Sequence, residues 1–155
     1  MLNVRFRLGL AAVIVAAVGG LLASVAVRAQ VPAPAPSVWD GVYTDVQAKA
    51  GESTFQSYCL ECHGEDLAGR EQAPALAGPP FLEKWNKATL KKLMDTLEAM
   101  PPDNPKSLTA KQYIEVLAYI LNANEFPVGK TALPEDRSVL STIQILGTRP
   151  DTPAH

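Results

Sequence analysis

The chain has 155 residues, with 14 Lys and Arg against 16 Asp and Glu and a formal net charge of −2. That length holds one domain and little more. The charge balance provides no concentrated positive face of the kind that nucleic-acid binding requires.

Residues 1–29 read as a secretory signal. Arg5 and Arg7 form a positive n-region, Leu8 to Val27 carries no charge, and Val27-Arg28-Ala29 puts small residues at the two positions a signal peptidase reads. Cleavage is expected before Gln30. An uncleaved anchor is the alternative, since this stretch, at about 1.5 Å per residue, just crosses a hydrocarbon core of roughly 30 Å. Either way the folded part is expected outside the cytoplasm, in the periplasm, soluble or N-terminally anchored. Loss of 1–29 removes Arg5, Arg7 and Arg28 and no acid, leaving 11 bases against 16 acids, a net of −5. Solubility accounts for such an excess, which also permits a basic protein partner.

Residues 30–38, with "VPAPAPS" inside them, alternate proline with small residues and read as an extended, solvated spacer. The domain itself is expected over 39–130, with 131–155 a C-terminal extension of unassigned role. Four helices are predicted. Thr44 and Gln47 form a capping box ahead of a helix from about Asp45 to Tyr58, which contains Gly51. A glycine there costs about 1 kcal/mol against alanine, so close packing against another helix is its expected reason. The second helix runs from about Ala88 to Ala99, with Leu90, Leu93, Met94 and Leu97 at helical spacing, and Pro101 and Pro102 stop it. A second capping box, Thr109 and Gln112, starts the third, which continues through Asn122 with Tyr113, Val116, Leu117, Ile120 and Leu121 as its apolar stripe. A short helix near Glu135–Leu140 follows, and residues 142–146 read as an extended tail. Residues 63–87 and 100–108 are long irregular connections. Such loops are unusual in a compact domain unless they wrap something.

"CLECHG", residues 59–64, holds both cysteines and His63. A structural zinc site needs four ligands, commonly two separated pairs, and the other histidine is the last residue. A thioredoxin-type C-x-x-C needs a preceding strand, and a disulfide across two intervening residues closes too small a loop to stabilise much. The remaining reading is covalent attachment of a c-type haem: Cys59 and Cys62 as thioethers, His63 as the proximal iron ligand. One turn of chain places both sulfurs along one porphyrin edge and the next residue over the metal. For the sixth position, Met94 lies on the apolar stripe and reads as core. Met100 sits where "MPP" forces the chain out of helix, and is the expected second ligand.

With these residues in view the chain resembles class I monohaem cytochromes c, exported by bacteria. The resemblance rests on the helix with Gly51 and Phe55 before "CLECHG", then "APALAG", "AMPPDNP" and "VLAYIL", and covers about 40–130. It implies an all-α cytochrome c fold of three to five helices around one haem c. It further implies that the Pro74 carbonyl accepts the Nδ1–H of His63, that Leu76 packs on the haem face, and that Gly51 and Phe55 meet Val116 and Tyr119. Trp85 is expected either at a haem propionate or as a core tryptophan. The implied role is one-electron transfer between redox protein partners, with no reaction of its own. The alternatives are a cytochrome subunit of a periplasmic dehydrogenase, for instance a quinoprotein, or of an oxidase, and a five-coordinate haem enzyme or sensor.

Overall fold

A computed structural model describes residues 35–71 and 73–150. The signal or anchor segment, most of the spacer and His155 lie outside the described residues. Among those described there are six α-helices: α1 (Asp45–Tyr58), α2 (Leu60–His63), α3 (Pro79–Trp85), α4 (Leu90–Leu97), α5 (Ala110–Ala123) and α6 (Arg137–Thr142), with a 3-10 turn at Val38–Asp40. Extended pairing is confined to single-residue bridges. The fold is all-α.

The two long helices start where their capping boxes place them. The Thr44 hydroxyl accepts from the Gln47 N–H, and the Gln47 side chain returns to the Thr44 backbone; Thr109 and Gln112 repeat the arrangement at α5. Each box satisfies donors that the first helical turn leaves orphaned. α5 then buries Ile114, Leu117, Ile120 and Leu121 almost completely, each worth about 1.5–3 kcal/mol relative to exposure.

α1 crosses α5 at Gly51. A Cβ built on Gly51 would stand 1.8 Å from the Glu115 carbonyl oxygen and 2.9 Å from the Val116 nitrogen. Only a residue without a side chain permits so close a backbone approach. One turn further on, the Phe55 and Tyr119 rings lie 5.2 Å apart between centroids. This matches the helix crossing expected from the resemblance.

Four features depart from the sequence reading. Six helices stand among the described residues where three to five were expected. Residues 63–87 are not wholly irregular: Pro79–Trp85 form a helix with prolines at its first turn, where the missing N–H costs nothing. The spacer ends sooner than its composition suggests, because Ser37 and Val38 are buried. The C-terminal segment is core: Leu133, Leu140, Ile143 and Ile145 are buried within the main cluster.

That segment also supplies the expected extended tail. The Val38 N–H donates to the Gln144 carbonyl, and the Gln144 N–H to that of Pro36. On its other edge, Lys87, Ala88 and Leu90 pair with Ile143 and Ile145. The tail thus joins the start of the domain to the connection between α3 and α4.

Candidate haem site

The motif is displayed by an interruption in the helix. The Cys59 N–H still bonds to the Phe55 carbonyl, but Cys59 leaves helical geometry with φ −122°. The single turn of α2 follows and is capped by Gly64 at φ +78°, a conformation that glycine adopts at little cost. Within that turn stand Cys59, Cys62 and His63. The two thiols are unbonded, Cys59 half-buried and Cys62 exposed. Burial, with a smaller contribution from Cys62, pushes the Cys59 thiol up to about 11. Both effects disfavour a thiolate.

His63 is 9% exposed, and its Nδ1 lies 2.9 Å from the Pro74 carbonyl oxygen. A carbonyl can only accept, so Nδ1 carries the proton and Nε2 is left as the lone-pair donor. Pro74 is held in place by a tight loop. The Gly69 N–H donates to the His63 carbonyl, Arg70 and Ala73 exchange both backbone bonds, and the Leu76 N–H returns to Leu67. Gly69 has φ +81°, and a Cβ there would meet the Ala73 oxygen at 2.3 Å and the Pro74 carbonyl carbon at 2.8 Å.

Cys59, Cys62, His63 and Leu76 line one cleft together with Leu97 and Met100. Tyr113 and Val116 complete it from α5, and Tyr58, Pro101, Pro102 and Leu108 contribute around them. The cleft is partly enclosed and opens to solvent. Its lining is mostly apolar, with soft sulfur donors and one imidazole nitrogen available. The residues present fit a haem held through two thioethers.

Met100 follows the end of α4, with its N–H on the Leu97 carbonyl and its own carbonyl accepting from the Tyr113 hydroxyl at 3.1 Å. Met94 is buried at α4 in the core cluster. The structure brings together Cys59, Cys62, His63, Pro74, Leu76 and Met100, but not Trp85. Trp85 lies in the core cluster with its ring 6.3 Å from that of Phe81 and is not among the residues that line the cleft.

Two site residues lack a role in the sequence reading. Asn124 is buried just past α5, and its side chain grips the loop that carries Leu76. Its amide nitrogen donates to the Leu76 and Ile120 carbonyls at 2.9 and 2.8 Å, and its oxygen accepts from the Gly78 N–H. Tyr113 is the other. Its place on the apolar stripe of α5 leaves the hydroxyl unaccounted for, and the structure sets it on the Met100 carbonyl.

Residues 46–120 match the family model described as cytochrome c oxidase, cbb3-type, subunit III. The chain holds a c-type cytochrome domain. No curated protein and no solved structure matches the chain. The matched span runs from α1 through most of α5 and so includes every cleft residue named above. A cytochrome domain of this kind implies haem c and haem-based electron transfer. The tail and α6 fall beyond the matched residues, yet they complete the same core.

Proposed function

We propose that this cytochrome is a one-electron carrier of the class I type, with a single haem c ligated by His63 and Met100. The observation that carries the reading is the convergence on one apolar cleft of the C-x-x-C-H turn and Met100. When bound, the haem supplies a ferric/ferrous couple that changes charge by one without making or breaking bonds. The chain does the rest. Cys59 and Cys62 tether. The Pro74 carbonyl orients the His63 ring and raises its basicity. The Met100 thioether, a soft donor, favours the ferrous state and raises the potential. Leu76, Leu97 and Val116 exclude water, which lowers the local dielectric and limits reorganisation around the changing charge. Held by both His63 and Met100, the iron would have no position left for a substrate. Tyr58, 55% exposed, and Cys62 mark the open edge through which a redox partner is reached. Encounters of this kind bury small areas and are transient.

Ferric and ferrous absorption spectra with a redox titration test cofactor and ligation together. Ferric protein should be low-spin with the weak far-red charge-transfer band of a methionine-ligated haem. Met100→Ala should abolish that band and open the ferrous iron to carbon monoxide, while Met94→Ala should retain it. A band that survives Met100→Ala overturns the ligand assignment.

The partners are redox proteins, and the protein acts in the periplasm, as the N-terminal segment suggests. Mass spectrometry of the native protein separates a start at Gln30 from a retained anchor. A second reading, a cytochrome subunit of an oxidase, is favoured by the oxidase subunit that describes the matching family. Co-migration of the native chain with a larger catalytic subunit would decide for it.

A further inference from the structure

The C-terminal segment holds α4 at both ends. At its start the Ile143 carbonyl accepts from the Leu90 N–H at 3.0 Å, while Ile145 bonds Ala88 and Lys87 at 2.8 and 2.7 Å. At its end Arg137, the first residue of α6, reaches across. Its Nη1 donates to Asp95 Oδ1 at 2.6 Å and its Nη2 to Glu98 Oε1.

Glu98 is the residue at which helix becomes loop. Its N–H closes the last turn on the Met94 carbonyl, and its own carbonyl accepts from the Lys106 N–H at 2.9 Å. The segment 98–106 is therefore a closed loop whose base is Glu98, with Met100 two residues along it. Asp95 and Glu98 stand three residues apart on one face of α4, and the planar guanidinium fork spans them as a point-charge ammonium cannot. Arg137 is 35% exposed at its side chain and Glu98 21%, so the network is half-shielded, tighter than a free surface pair and weaker than a buried one.

From this we propose that Arg137 is a positioning residue for Met100: by holding Glu98 it fixes the base of the loop that aims the thioether at the iron. The proposal rests on Met100 being the sixth ligand. It gives a task to a residue outside the span shared with the cytochrome family, and the task concerns ligand exchange rather than fold alone.

Imidazole added to the ferric holoprotein is the probe, since it enters the sixth position only when Met100 leaves. Arg137→Gln should speed imidazole association about two- to fivefold, the effect of losing a half-shielded charge network. Hydrogen exchange at the Lys106 amide should accelerate by a similar factor, because local opening sets both rates. Glu98→Gln should do the same from the other partner, and decides the matter if Arg137→Gln fails to fold. Arg137→Lys should recover part of the loss. Lys91→Gln, which removes the other cation on Asp95 without touching Glu98, should leave both rates unchanged. Parent-like rates in Arg137→Gln, or equal acceleration in Lys91→Gln, would overturn the proposal. Failure of the ligand reading is separately visible: the far-red band would then persist in Met100→Ala, while exchange at Lys106 would still report on the clamp.

Discussion

Replacing Gly51 with alanine sets two physical effects against each other with opposite signs. Helix propensity alone makes the substitution favourable by about 1 kcal/mol in a helix interior. The crossing with α5 makes it unfavourable. The new methyl would lie 1.8 Å from the Glu115 oxygen and 2.3 Å from its carbonyl carbon, and neither is the end of a side chain that can swing away. α1 and α5 must separate by roughly 1 Å before the contact becomes tolerable. A gap of about 0.5–1 Å forfeits a quarter to a half of the dispersion energy across the interface, here shared by Phe55, Val116 and Tyr119. Overpacking of this kind costs about 1–3 kcal/mol, occasionally more. With backbone on the far side, we expect the upper end of that range. After the propensity gain the net loss should be about 2 kcal/mol, close to a thirtyfold shift toward the unfolded state. Urea titration of the ferric holoprotein, followed by far-ultraviolet circular dichroism, measures it by linear extrapolation. A variant as stable as the parent, or about 1 kcal/mol more stable as propensity alone requires, would refute the argument that the crossing dictates this glycine.

Three further predictions follow from particular contacts. Leu140→Ala, at a fully buried position of α6, should cost about 2–5 kcal/mol in the same titration; a parent-like midpoint would mean that the C-terminal segment is not core. Tyr113→Phe should cost about 1–2 kcal/mol, because the Met100 carbonyl loses its hydroxyl donor beside an apolar cleft; an unchanged stability would show that water replaces the hydroxyl. The Asp95 carboxyl is held below the ordinary carboxylate value, first by the Lys91 hydrogen bond and then by the charges of Lys91 and Arg137. A depressed folded value means stability present above the unfolded value, about 3.9, and lost as pH falls through the folded one. Carbon-13 NMR titration should therefore find Asp95 low in the parent, raised more by Lys91→Gln than by Arg137→Gln. The reverse order would refute the ranking.

Much of the site was readable because its chemistry is local. Cys59, Cys62 and His63 fall within one turn, so their mutual arrangement follows from helical geometry before any tertiary contact is known. Met100 was separable from Met94 by a local feature too: two prolines end the helix at one and a periodic apolar stripe buries the other. Pro74 and Leu76 came through resemblance; the Pro74 carbonyl lies against His63 Nδ1, and Leu76 lines the cleft. Trp85 fared differently. An aromatic residue in a loop carries no sign of whether its ring faces a ligand or a core, and its place beside Phe81 is set by how α3 packs. α3 itself was hidden by its prolines and glycine, which suit a helix start as well as a loop.

The sequence by itself determined where α1 and α5 begin, which residues form the attachment turn, and that Gly51 marks a close approach. Each of these is written in spacings of three or four residues, the period of the helix. Only the tertiary structure decided what the last twenty described residues do. The pairing of Ile143 and Ile145 with the start of α4, the grip of Asn124 on the Leu76 loop, and the span of Arg137 to Glu98 all join residues distant in the chain. Such contacts leave no periodic trace. They are chosen when helices with apolar faces pack together, because that packing alone brings the remaining polar groups within bonding distance.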